Sequence, residues 1–176
     1  MILQLENYID GKFLPPFHGN YLENLNPAEN IVIAQIPEST AEDVDLAVKS
    51  ATNAQTTWST TPLNERIDWL RKIAAALDLR KSEIAILESI DTGKPVKLAE
   101  RVDADRSVSN FTFFADHAEN LAELRFEMAD ATNYVIRKPV GTVGLITPWN
   151  LPLYLLTWKI ACLLYTSPSP RDSDTS

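Results

Sequence analysis

Cysteine is almost absent: Cys162 is alone among 176 residues, so no intrachain disulfide can form and a reducing compartment is the default. Long apolar runs are missing too. The longest, Leu151 to Ile160, is broken by Pro152, Thr157 and Lys159 and falls short of the ~18 to 20 apolar residues that cross a bilayer. Basic residues are in deficit, 16 against 24 acidic ones, which leaves a net charge of -8 and a pI near 4.7. Such a surface repels phosphate backbones and anionic lipid, so neither nucleic acid nor membrane is expected as a partner. Met1 to Leu5 carries no basic residue and Glu6 follows at once. That start predicts neither a secretory nor a mitochondrial leader, hence a cytoplasmic location. Histidine is scarce as well. His18 and His117 lie at no metal-ligand spacing, so no metal site is expected. Asn110-Phe111-Thr112 matches a glycosylation sequon, which means nothing without a secretory route.

What is present is ordinary globular material, 45% apolar and 23% charged, enough for one modest core. The chain opens in short strands. Asn7 to Ile9 and Lys12 to Leu14 flank Asp10-Gly11, a pair suited to the positive φ angles of a tight hairpin. Tyr21 to Leu25 and Ile31 to Ile36 flank the turn-forming cluster from Asn26 to Asn30. Helices follow. Ser39 and Glu42 have capping-box spacing ahead of Val44, Ala47, Val48, Ala51 and Ala54. Pro62 suits the first turn of a second helix with the stripe Leu63, Ile67, Leu70, Ala74 and Leu77. A third is predicted from Ser82 to Ile90, with Gly93 able to take a left-handed conformation past its end. A fourth, from Val96 to Leu121, carries Val102, Phe111, Phe114 and Ala118. Strands then return, alternating from Tyr134 to Lys138 and mostly apolar from Thr142 to Thr147. No internal repeat is visible.

After Ala161 the composition changes. The run CLLYTSPSPRD, Cys162 to Asp172, reads as a disordered terminus and more specifically resembles one translated frame of a transposase adapter used in preparing sequencing libraries. Residues 1–161 are therefore taken as the protein and 162–176 as a foreign, disordered tail. Cys162 opens that run with no acid, base or second cysteine near it in sequence, which argues against a nucleophile.

The chemically informative stretch is Lys138 to Pro152, KPVGTVGLITPWNLP. A strand ends by presenting Asn150 on a loop stiffened by two prolines, the kind of place where α/β proteins bind ligands. An amide held rigidly there can donate to a developing oxyanion. Equally, Asn150 can simply cap the helix that follows.

KPVGTVGLITPWNLPLYLLTWKIA resembles the strand and loop entering the cofactor site of the aldehyde dehydrogenase superfamily. The resemblance continues in NYIDGKF, in Asn26-Pro27, in the helix ending at Trp58 and in ESIDTGKP, so it covers nearly all of residues 1–161. Within the family, RSVSNFTFFAD and NLPLYLLTWKIA are most like the branch acting on 2-aminomuconic or 2-hydroxymuconic semialdehyde. The resemblance implies an α/β chain: an incomplete aldehyde dehydrogenase fold, with N-terminal strands and helices and the start of a Rossmann-like NAD-binding sheet. Tyr134 to Pro139 would begin an oligomerisation arm, and the parent would be a dimer or tetramer. Asn150 would stabilise the oxyanion formed when a cysteine thiolate attacks a small aldehyde. Ile146, Thr147, Pro148 and Trp149 would line the NAD or NADP site. Leu151, Tyr154 and Trp158 would face the substrate, with ordinary core as the alternative. Arg106 would meet a substrate carboxylate, its guanidinium fork matching that planar anion, or else be a solvated helix arginine near Asp103 or Asp105. The family's cysteine nucleophile, activating glutamate and cofactor-site glycine turn lie downstream of the matched stretch. The parent is thus expected to oxidise an aldehyde to an acid, and the 176 residues alone to be inactive and poorly soluble. A short isoform serving as a non-catalytic subunit-interaction module is the alternative.

Overall fold

The computed structural model describes residues 2–120, 125–135 and 138–166. Asp10 (φ 55°) and Gly11 (φ 74°) take the left-handed backbone predicted for a tight turn, joining β2 (Asn7–Ile9) to β3 (Lys12–Leu14). A separate three-stranded sheet has β5 (Ile31–Pro37) at its centre, antiparallel to β4 (Tyr21–Asn26) and parallel to β1 (Leu3–Gln4). The turn between β4 and β5 is built by Asn26, whose side-chain oxygen accepts the Ala28 N–H at 2.9 Å.

Helix α1 runs over Ala41–Trp58. Its capping box lies one residue later than the spacing of Ser39 and Glu42 predicts: Thr40 is the cap and Asp43 its partner, accepting the Thr40 N–H at 2.9 Å. The choice is made from outside the helix. Asp43 also accepts the Phe17 N–H at 2.9 Å and the Asn7 amide at 3.2 Å, and those donors, Thr40 first, hold its carboxyl below the usual carboxylate range. Ser39 donates instead to Asn7 Oδ1 at 2.8 Å.

The core lies between α2 (Leu63–Leu79), α5 (Asp105–Glu119) and α6 (Pro152–Thr166). The predicted stripe of α2 delivers Ile67, Leu70 and Ala74, and α5 adds Phe111, Phe114, Ala115 and Ala118. Ala161 completes the cluster from α6. Arg66, 1% exposed, donates to the Tyr165 carbonyl at 3.1 Å, placing its charge at the negative end of α6.

Helix α3 (Lys81–Thr92) ends where predicted, at Gly93 with φ 75°. A Cβ there would also come within 2.9 Å of Pro27 Cγ, so both the backbone and the packing require glycine. The long helix predicted from Val96 runs unbroken to Glu119 but is not α-helical throughout. A short α4 (Val96–Ala99) widens into a π-turn over Glu100–Ala104 before α5 begins, and Leu121 lies outside the described residues. The π-turn buries Asp103 completely against Lys94, at 2.7 Å, an arrangement that helical periodicity does not report.

Three further expectations change. A hairpin of β6 (Arg125–Glu127) and β7 (Thr132–Tyr134) replaces the strand predicted from Tyr134 to Lys138, part of which lies outside the described residues. Among the described residues Thr142 to Thr147 pairs with no other strand. A sheet strand needs a hydrogen-bonded neighbour, and among the described residues none flanks it. The helix also passes the expected boundary at Ala161 and continues to Thr166, because Leu164 and Tyr165 carry the apolar pattern onto the core. The rest of the presumed tail, 167–176, lies outside the described residues. No helix among the described residues is long and apolar enough to cross a membrane.

Candidate active site

Pro148 and Pro152 bracket a turn at Trp149-Asn150, and α6 starts at Pro152. Asn150 thus stands two residues ahead of the helix and does not cap it. Among the described residues nothing engages its side chain, and the residue is exposed, leaving both amide donors free. Lys159, about two turns into α6, donates to the Ile146 carbonyl and ties the incoming loop to the helix. Further back, Thr142 Oγ1 lies 3.3 Å from Thr52 Oγ1, which sets the start of the same segment beside α1.

The residues expected to line a dinucleotide site lie on this loop. Ile146 and Trp149 are 87% and 86% exposed, Pro148 is exposed and Thr147 is half-buried. Ile146, Pro148 and Trp149 expose apolar side chains there, and the backbone of the loop pairs with no strand among the described residues, although the Ile146 carbonyl is taken by Lys159. That fits a flat ring and a ribose approached through main-chain groups, with the opposing walls supplied from elsewhere.

On the other side of the turn, α6 and α5 bring together residues expected to meet substrate. Leu151 and Tyr154 are half-buried and Trp158 is 48% exposed, and none belongs to the central cluster. The rings of Tyr154 and Trp158 are tilted against each other at 5.7 Å. Arg106 Cζ lies 5.7 Å from the centre of the Tyr154 ring, within reach of a cation–π contact. Arg106 is exposed on α5, as the alternative of a solvated helix arginine near Asp103 or Asp105 also requires, and it pairs with neither carboxylate. Asp103 is held by Lys94 and Asp105 by Lys81 at 2.8 Å, and Arg106 makes no ion pair among the described residues. An exposed guanidinium propped on an aromatic face, with no carboxylate of its own, is equipped to take one from a ligand.

Behind this edge lies a buried ionic group. Lys94 reaches Asp103 at 2.7 Å and Glu88 at 3.4 Å, with all three side chains largely buried. Burial first, then the neighbouring Asp103, pushes the Glu88 carboxyl up, and Lys94 only partly opposes them. Ser107 Oγ donates to the Asp103 carbonyl at 2.5 Å, fixing the exit of the π-turn one residue beyond Arg106. The ESIDTGKP motif is thus joined to the π-turn that leads into Arg106. Sequence reading noted the motif but not its contact with Asp103, which no local spacing reveals.

Asn110 was likewise missed. Its amide donates to the Tyr154 carbonyl at 2.9 Å and to Thr157 Oγ1 at 3.0 Å, so the sequon asparagine is turned into the α5–α6 contact. Cys162 lies ten residues along α6 from Pro152, roughly 15 Å of helix, and is half-buried against the core. It cannot share a carbonyl with Asn150. His18 and His117 are exposed, the former 3.9 Å from Glu42 and the latter stacked on Phe113.

The sequence profile described as "Aldehyde dehydrogenase family" matches residues 15–167. The human 2-aminomuconic semialdehyde dehydrogenase is 42% identical over 164 residues, covering 91% of this chain and 33% of that protein. The 2-hydroxymuconic semialdehyde dehydrogenase of Pseudomonas sp. (strain CF600) is 39% identical over 163 residues, covering 89% and 34%. The NAD+ complex of an aldehyde dehydrogenase from Bacillus cereus superposes with a TM-score of 0.88 at 33% identity, over 93% of this chain and 34% of that one. The chain spans about a third of the length of the curated relatives it matches.

Proposed function

The chain belongs to the aldehyde dehydrogenase family, and on that premise we propose that it is the N-terminal part of an enzyme oxidising a carboxylate-bearing aldehyde to the acid with NAD(P)+. The observation that carries this reading is the free amide of Asn150, on its proline-braced turn beside the Arg106–Tyr154–Trp158 edge.

The chemistry would run as follows. A thiolate from beyond these residues adds to the aldehyde carbon, and the carbonyl electron pair moves onto oxygen. Asn150 donates an N–H to that oxygen, which carries full charge only after attack, so the bond favours the transition state over the bound aldehyde. NAD(P)+, when bound, supplies the hydride acceptor. Ile146, Thr147, Pro148 and Trp149 provide one wall for it. Leu151, Tyr154 and Trp158 exclude water from the aldehyde's chain, and Arg106 receives its distant carboxylate in a charge-assisted, two-pronged bond. Water then releases the acyl group as an acid.

In the 176 residues the single thiol is Cys162, too far along α6 to perform the attack, so the chain by itself would be inactive. The exposed Val140, Ile146 and Trp149 would make it poorly soluble when expressed alone. The segment from Tyr134 to Pro139, which continues from the end of the β6–β7 hairpin, would open the arm through which subunits pair as dimers or tetramers. We place the enzyme in the cytoplasm.

The test is NADH formation by the enzyme encoded by the gene read past Ala161, offered a carboxylate-bearing aldehyde and a neutral one of equal length. Preferential turnover of the first with NAD+ or NADP+ is expected. No reduction of either cofactor with any aldehyde would end the proposal.

A further inference from the structure

Arg106 and Asn110 stand four residues apart on α5 and so share a face of that helix. They meet the same residue of α6 from two sides. Arg106 lies over the Tyr154 ring, while Asn110 donates to the Tyr154 carbonyl at 2.9 Å and to Thr157 Oγ1 at 3.0 Å. Thr157 is 4% exposed, and its own hydroxyl donates to the Tyr154 carbonyl at 2.9 Å. Helix α6 does not need these bonds for its own ladder. Their effect is between helices: they fix the height of Tyr154 along α5.

We propose that Asn110 is a positioning residue that sets substrate selectivity by locking Tyr154 beneath the Arg106 guanidinium. A cation–π contact of 5.7 Å is near the limit of its range, so a slip of the first turn of α6 along α5 would release the guanidinium. Its fork would then sample many directions instead of one, and a carboxylate would meet it at an entropic cost. The residue touches neither substrate nor cofactor. The inference rests on the reading of Arg106 as the carboxylate anchor and adds what holds that anchor in place.

The test uses the full-length enzyme and a matched pair of aldehydes, one ending in a carboxylate and one neutral. Asn110→Asp keeps the shape of the side chain and puts an acceptor where the amide donors were. It is expected to lower the ratio of kcat/KM for the acidic over the neutral aldehyde roughly fivefold, mostly through KM for the acidic one. In an Arg106→Ala background the same change should move that ratio little, because both act on one subsite. Should Asn110→Asp fail to fold, Thr157→Val, which removes a partner hydroxyl at nearly constant volume, should shift the ratio the same way, and Thr157→Ser should restore it. Losses in equal proportion on both aldehydes, or an unchanged ratio, overturn the positioning role. If Arg106→Ala is selective and the Asn110 and Thr157 variants are not, only the positioning role falls. If Arg106→Ala is itself unselective, the anchor falls and the positioning role with it.

Discussion

Asn150→Ala in the full-length enzyme is expected to lower kcat by roughly 10² to 10³, equivalent to ~3 to 4 kcal/mol of transition-state stabilisation, with little change in KM. The asymmetry follows from when the bond is made. Before attack the carbonyl oxygen is neutral and gains little from a second-rate acceptor's hydrogen bond; after attack it bears a full charge in a site from which water has been displaced. Among the described residues nothing competes for the amide, which is exposed on the turn between Pro148 and Pro152. The variant should fold normally, because among the described residues the Asn150 side chain supports no other part of the molecule. Steady-state kinetics on the purified variant check this. A kcat within twofold or so of wild type would show that the oxyanion is stabilised by other groups.

Lys94→Met should cost about 3 to 5 kcal/mol of stability, the range found when one partner of a buried ion pair is removed. Two carboxylates, Glu88 and Asp103, would then share a nearly dry volume with no cation. Asp103 Oδ1 already has no partner among the described residues, so the group has nothing in reserve. The measurement is the shift in urea midpoint at constant slope. A pH dependence accompanies it. The folded-state pKa of Glu88 is raised, so the folded protein binds that proton more tightly than the unfolded chain does. Its contribution is therefore fully favourable below the ordinary carboxylate value and is lost as pH rises through the higher folded value. Glu88→Gln should remove this loss, so that its stability relative to wild type improves as pH rises above the ordinary carboxylate value. A difference that does not change with pH would show Glu88 to be ionised as easily folded as unfolded.

These cases show what a sequence can and cannot carry. The stripe of α2, the end of α3 at Gly93 and the Asp10-Gly11 hairpin are local properties, set by side-chain period and backbone preference, and they are legible residue by residue. The capping box was ambiguous by one position because Ser39 with Glu42 and Thr40 with Asp43 offer the same spacing. Phe17 and Asn7, far off in sequence, decide between them. Thr142 to Thr147 has the composition of a buried strand, yet a strand is a relation between segments, and among the described residues no neighbour makes it one. For the candidate site, Asn150, Tyr154, Trp158 and Arg106 were singled out through family motifs, and the structure adds that Arg106 and Trp158 both approach the Tyr154 ring. The roles of Lys94 with Asp103 and of Asn110 with Tyr154 were not legible. A lone asparagine or lysine advertises nothing until its partner is brought to it by the packing of two helices.

The claim on which the functional account turns is that Arg106 recognises a carboxylate on the aldehyde. It is met most directly by comparing wild type and Arg106→Ala, as full-length enzymes, on an acidic aldehyde and its neutral analogue. Loss of a charge-assisted hydrogen bond worth ~1.5 to 3 kcal/mol predicts a fall of roughly tenfold to a hundredfold in kcat/KM on the acidic substrate, and a far smaller one on the neutral analogue. Equal falls on both would contradict the account and leave Arg106 a structural prop of Tyr154.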